Sequence, residues 1–122
     1  MARQFAIVFG AVYVLIGILG LILPSPLLGI FGVNLLHDMV HLAIGGLWLF
    51  AAFVAPMGPD SARKTSIIGI VYLLVAILGF ALPDRMNQLL VINTADNFLH
   101  LGTAVLALYI GFMGPKASAV TA

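Results

Sequence analysis

Hydrophobic positions fall into four near-continuous runs, at about residues 4–23, 35–55, 65–82 and 94–113, divided by short segments that hold all the prolines and most of the charges. Each run approaches the ~20 residues that carry a helix across a ~30 Å hydrocarbon core at 1.5 Å per residue. The pattern therefore predicts four transmembrane helices. Strand-like alternation is missing from the runs, so a barrel is excluded as the other way of satisfying backbone groups in lipid. The first run follows Arg3 as a signal peptide's apolar stretch would, but it is longer than the usual ~7–15 residues. Its match to an internal run predicts that it stays in the protein.

That match extends along the whole chain. Displaced by 59 residues without a gap, Gly10, Val12, Tyr13, Leu15, Gly20 and Pro24 meet Gly69, Val71, Tyr72, Leu74, Gly79 and Pro83. Further on, Asn34, His41, Leu42, Leu47, Phe53 and Pro56 meet Asn93, His100, Leu101, Leu106, Phe112 and Pro115. An internal repeat defines the architectural unit. Each copy holds two crossings, so the second enters from the same side as the first, about an axis along the membrane normal. The expected fold is an all-α membrane protein: one domain over 1–122, two tandem two-helix repeats (about 5–56 and 64–115) forming a small antiparallel bundle. The tail 116–122 is small and polar enough to be flexible.

Composition agrees with lipid as the solvent. The chain is 63% hydrophobic and 7% charged, with a mean hydropathy of +1.22, whereas a soluble domain is about a quarter charged. None of the runs offers the charged outer face that a soluble helix needs. A net charge of +1 excludes the concentrated basic patch of a nucleic-acid binder. Without cysteine there can be neither disulfides nor thiolate metal sites. Arg3, Arg63, Lys64 and Lys116 fall on the side of the termini and central loop, and Arg85 alone on the other, which predicts cytoplasmic termini.

Gly10, Tyr13, Gly17 and Gly20 recur along one face of the first helix, as do Gly69, Tyr72, Ala76 and Gly79 in the third. Lipid gives little hydrophobic gain from helix contact, so such small-residue faces are predicted packing seams. Tyr13 and Tyr72 need hydroxyl partners there and are expected interhelical donors, each worth about 0.6 kcal/mol. The second and fourth helices open on Asn34 and Asn93 as N-caps, with Asp38 and Asp96 in the first turn where the dipole favours negative charge. Asp96 has capping-box spacing. Behind the caps His37, His41, Gly45, Trp48 and Ala52 share one face; Asp96, His100, Ala104, Ala107 and Gly111 share the matching one.

The repeated phrase is an apolar helix ending in Gly and Pro, an apolar connector, then Asn-x-x-His/Asp-Asp/Asn-x-x-His-Leu. It resembles the uncharacterised bacterial membrane family catalogued as domain of unknown function 4383, over about residues 5–113. The resemblance implies a small four-helix protein of the bacterial inner membrane and transfers no catalytic role. No nucleophile–base pair or phosphate loop appears, so no enzyme activity is expected.

Asn34, His37, Asp38, His41, Asn93, Asp96, Asn97 and His100 thus form an expected intramembrane polar cluster. The leading reading is structural, with caps and interhelical hydrogen bonds in a protein serving as an accessory subunit of a larger membrane complex or associating with itself. His41 and His100 sit at equal depth, about 10 Å past their caps, and are expected to face each other or the opposite Asp or Asn. A second reading is a divalent metal held by His37, His41, Asp96 and His100, or a haem with His41 and His100 as axial ligands. A third is proton or solute transport by an oligomer, against which stands the absence of an ionisable group beyond the outer part of these helices. The connectors SPLLGIFGV and DRMNQLLVI carry apolar portions expected to lie in the interface or over the bundle mouth.

Overall fold

The computed structural model describes residues 1–117; residues 118–122, the end of the expected flexible tail, lie outside the described residues. The chain forms α1 (Ala2–Ile22), α2 (Leu35–Phe53), α3 (Ser61–Ser66), α4 (Gly69–Ala81), α5 (Pro83–Leu90) and α6 (Thr94–Met113). Counting α3 and α4 together as Ser61–Ala81, four spans are long and apolar enough to cross a membrane. Ala2–Ile22 and Ser61–Ala81 are related by the 59-residue displacement at both ends.

Two glycines bring α1 onto α2. A Cβ on Gly10 would lie 2.9 Å from the Gly45 carbonyl oxygen, and one on Gly45 would lie 2.8 Å from that of Gly10. Backbones approach this closely only where both side chains are missing, which is how dispersion holds helices together in lipid. Each repeat's two crossings pack chiefly on each other, and the two pairs meet along the axis. Val8, Leu15, Phe50, Leu74, Ile77 and Phe112 are left on the outside, whereas histidines, aspartates and asparagine are buried within. That inversion of a water-soluble protein is what a hydrocarbon solvent selects.

The third span departs from its expected bounds of 65–82: it begins at Ser61 and breaks at Ile67–Ile68. The Ser66 hydroxyl donates to the Ala62 carbonyl at 2.8 Å, and the amides of Ile68, Ile70 and Val71 reach back three residues instead of four. Serine bonding back onto the preceding turn bends helices. The first copy has Ile7 at that position, and α1 runs unbroken.

The connectors also part company. The first makes a tight turn closed by a bridge between Leu27 and Phe31, with Leu28 and Gly29 at positive φ. The second continues from Pro83 as α5, ended by Val91 at φ 54° in the left-handed region, where a β-branched residue is strained. Yet both plug the mouth with equivalent residues: Leu27 and Met86 are buried, as are Val33 and Ile92.

At the opposite end the first residues, the central loop and residues 115–117 lie together. Arg3 Nε donates to the Ala52 carbonyl at 3.0 Å, and Arg63 Nη1 to Gly111, the equivalent carbonyl, at 2.9 Å. Both guanidiniums thereby satisfy orphan acceptors at a helix C-terminus, where positive charge is favoured. Asp60 pairs with Arg63 at 3.4 Å and accepts from the Ala117 amide at 2.7 Å.

Candidate functional site

The polar cluster is assembled by the two caps. Asn34 Oδ1 accepts from the His37 amide at 2.9 Å and Asn93 Oδ1 from the Asp96 amide at 3.0 Å, so both start helices as expected. Their other ends do something the sequence did not suggest. Asn34 Nδ2 donates to the Leu89 carbonyl at 3.0 Å, and Asn93 Nδ2 donates to Ile30 at 2.9 Å. Ile30 and Leu89 are themselves equivalent positions, so each cap clasps the other repeat's connector in a reciprocal pair.

With the helix starts fixed, the imidazoles converge. His41 Nε2 and His100 Nε2 face each other across the axis at 3.5 Å, longer than a good hydrogen bond. His37, one turn nearer the mouth on α2, has its ring centroid 4.4 Å from that of His41 and 5.5 Å from that of His100, inclined to them by 59° and 62°. All three are at most 2% exposed, and one ligand nitrogen from each lies within 4.8 Å of the others. The chain contains three histidines in all, so every one of them is here. By strict geometry four of their six ring nitrogens lack a hydrogen-bond partner among the described residues: Nδ1 of His41 and of His100, and both of His37, whose ring nonetheless has the Leu90 and Gly32 carbonyls beside it.

The cluster borders a cavity of about 10 Å³, the space of roughly one water. Leu90 caps it, Val40, Val71 and Val75 wall it, and Tyr72 stacks on His100 with ring centroids 5.3 Å apart. Cofactor clefts start at roughly 300 Å³. A haem between His41 and His100 therefore does not fit.

The remaining expected residues are placed elsewhere. Asp96 stands outside the trio: its Oδ2 accepts from the amides of Asn93 and Gly32, each at 2.9 Å, completing the capping box and tying the first connector to α6. Asp38 and Asn97 do not meet the imidazoles either. The Asp38 carboxylate lies against Gly20 and the Asn97 amide against Gly79, where any Cβ would collide with them. These glycines, with Gly10, Tyr13, Gly17, Gly69, Tyr72 and Ala76, line the expected seams, and all of them except half-buried Gly20 are buried.

Only one tyrosine finds its partner. The Tyr13 hydroxyl shares a 2.8 Å hydrogen bond with the Thr103 hydroxyl across the axis. Tyr72 was expected to do the same, but the position equivalent to Thr103 is Ile44, and the Tyr72 hydroxyl has no partner among the described residues. Thr103 follows His100 by three residues on the inward face, a spacing that could have revealed it. Nothing in the sequence signals Leu90 as the lid or Tyr72 as the neighbour of His100.

Fold and site together define a class: an all-helical membrane protein of two like hairpins, with histidines buried where the copies meet. The chain belongs to the family described as Domain of unknown function (DUF4383), whose model matches residues 3–113. No curated relative and no solved structure matches it.

Proposed function

We propose that this protein binds a transition-metal ion within the membrane, using His37, His41 and His100. One observation carries the reading: all three histidines of the chain converge, buried, with one ligand nitrogen from each within 4.8 Å of the others and no carboxylate among them. A purely structural role would place the imidazoles against Asp or Asn across the bundle, and here they gather on one another instead. Asp96 is held in its capping box, and the Asp38 carboxylate and Asn97 amide lie against Gly20 and Gly79. A metal ion between the Nε2 atoms of His41 and His100, with one nitrogen of His37 as third ligand, would replace their long contact by three bonds. Bonds of about 2.0–2.1 Å to each imidazole separate ligand nitrogens by roughly 3.5 Å, which is the His41–His100 spacing.

The gathering of Arg3, Arg63, Lys64 and Lys116 at the end that holds the termini supports insertion with that end in the cytoplasm. The site then lies toward the outer face of the bacterial inner membrane. Elemental analysis of protein purified from membranes tests the metal reading. One ion per chain is expected, lost in the His41→Ala/His100→Ala double variant. A protein that emerges metal-free and takes up neither copper, zinc nor iron on titration overturns it.

A further inference from the structure

We propose that the ion this site takes is copper(I), held by three neutral imidazoles without a fourth protein ligand. This rests on the metal-binding reading above and adds the identity of the ion. The first argument is charge. The three ligands are uncharged and no carboxylate joins them: Asp96 accepts from the Gly32 and Asn93 amides, and the Asp38 carboxylate lies against Gly20. An ion here therefore carries its full charge into the low-dielectric bundle. That penalty grows with the square of the charge, so a divalent ion meets roughly four times the cost of a monovalent one.

The second argument is space. Four-coordinate zinc with three protein ligands keeps a water or an anion in the fourth position. The cavity beside the imidazoles, about 10 Å³ and walled by Val40, Val71, Val75 and Leu90, leaves little room for a solvent ligand with its hydrogen bonds. Copper(I) is a d¹⁰ ion that accepts three-coordinate geometry; thiolate and thioether sulfur select it most strongly, and imidazole, a general copper ligand, stands in for them at this site in a chain without cysteine. The repeat strengthens the case. Position 96, equivalent to 37, holds an acid where a fourth histidine would stand, and that acid is withdrawn into the capping box. The duplicated frame offers two matched ligands, His41 and His100, and one unmatched ligand, His37.

The test uses the full chain in nanodiscs under anaerobic conditions. Copper(I) is titrated in competition with a chromogenic copper(I) chelator, and zinc with a zinc indicator. One equivalent of copper(I) is expected to bind, with an X-ray absorption spectrum of three nitrogen neighbours and no sulfur. His37→Ala is expected to weaken binding by roughly 100-fold or more, and Tyr109→Phe, on the exposed face of α6, to leave it unchanged. A sulfur shell, or zinc bound at one equivalent and not displaced by copper(I), overturns the copper assignment while sparing the metal site. Failure of both ions and of iron overturns both readings. The wild-type spectrum decides the matter even where a histidine variant fails to fold.

Discussion

The two repeats are alike where they face their own partner helix and unlike where they compete for the axis. Away from the axis the same solution is used twice: Gly20 under Asp38 and Gly79 under Asn97, Leu27 and Met86 in the mouth, Asn34 and Asn93 clasping opposite connectors. On the axis there is one volume for two equivalent residues. Trp48 takes it, fully buried, with its ring 6.0 Å from Tyr13 and 5.9 Å from Tyr72; its equivalent in the second copy is Ala107. Two tryptophans would overfill a space packed to protein density. Duplication thus supplies symmetric frames cheaply, and the asymmetric residues mark where the copies meet.

The largest effect should come from breaking that division. Trp48→Ala removes the side chain that touches both tyrosines and should cost about 3–5 kcal/mol, read as a loss of thermal stability in detergent. Ala107→Trp alone should also destabilise, by overpacking. The double variant, which moves the tryptophan to the other copy, should be more stable than Ala107→Trp. If it is less stable, the two positions do not share one volume.

The asparagine braces come next. Asn34→Ala and Asn93→Ala each remove a cap and a clasp, for about 1–2 kcal/mol apiece, and should cost nearly the same because their bonds are equivalent. Unequal losses, with Asn34→Ala near zero, would mean that the reciprocal clasp carries no energy. Ile44→Thr gives Tyr72 the partner that Tyr13 already has and should stabilise by roughly 0.6 kcal/mol; a loss beyond 1 kcal/mol would show that the hydroxyl is not reached.

The smallest effect is at the charged end. The Ala117 amide, and after it Arg63, hold the Asp60 carboxyl below its usual range. A depressed pKa means that the contact is fully present above the ordinary aspartate value of about 3.9 and is lost as pH falls through the lower folded value. Solvent exchange of the Ala117 amide should therefore be insensitive to pairing changes from pH 5 to 8, with the bond released only in acid below about 3.9. Release near neutrality would refute the latch.

How far the site could be read in advance follows from the same division. Asn34, Asn93 and the facing pair His41 and His100 were legible because caps and repeat register are local features. Asp96 was legible as a capping residue and misleading as a ligand, since its carboxylate is claimed by the Gly32 amide, 64 residues away. Tyr72 looked equivalent to Tyr13 until their neighbours across the axis, Ile44 and Thr103, were seen to differ.

By itself the sequence determined the number of crossings, the duplication, the helix starts and the inward faces, because lipid demands paired backbones and each helix carries its own periodicity. Only the tertiary structure decided that His37 and not Asp96 joins the facing histidines, which tyrosine is bonded, and which connector turns while the other coils. Those outcomes depend on contacts such as Tyr13 with Thr103, 90 residues apart, and on which copy occupies the shared space along the axis.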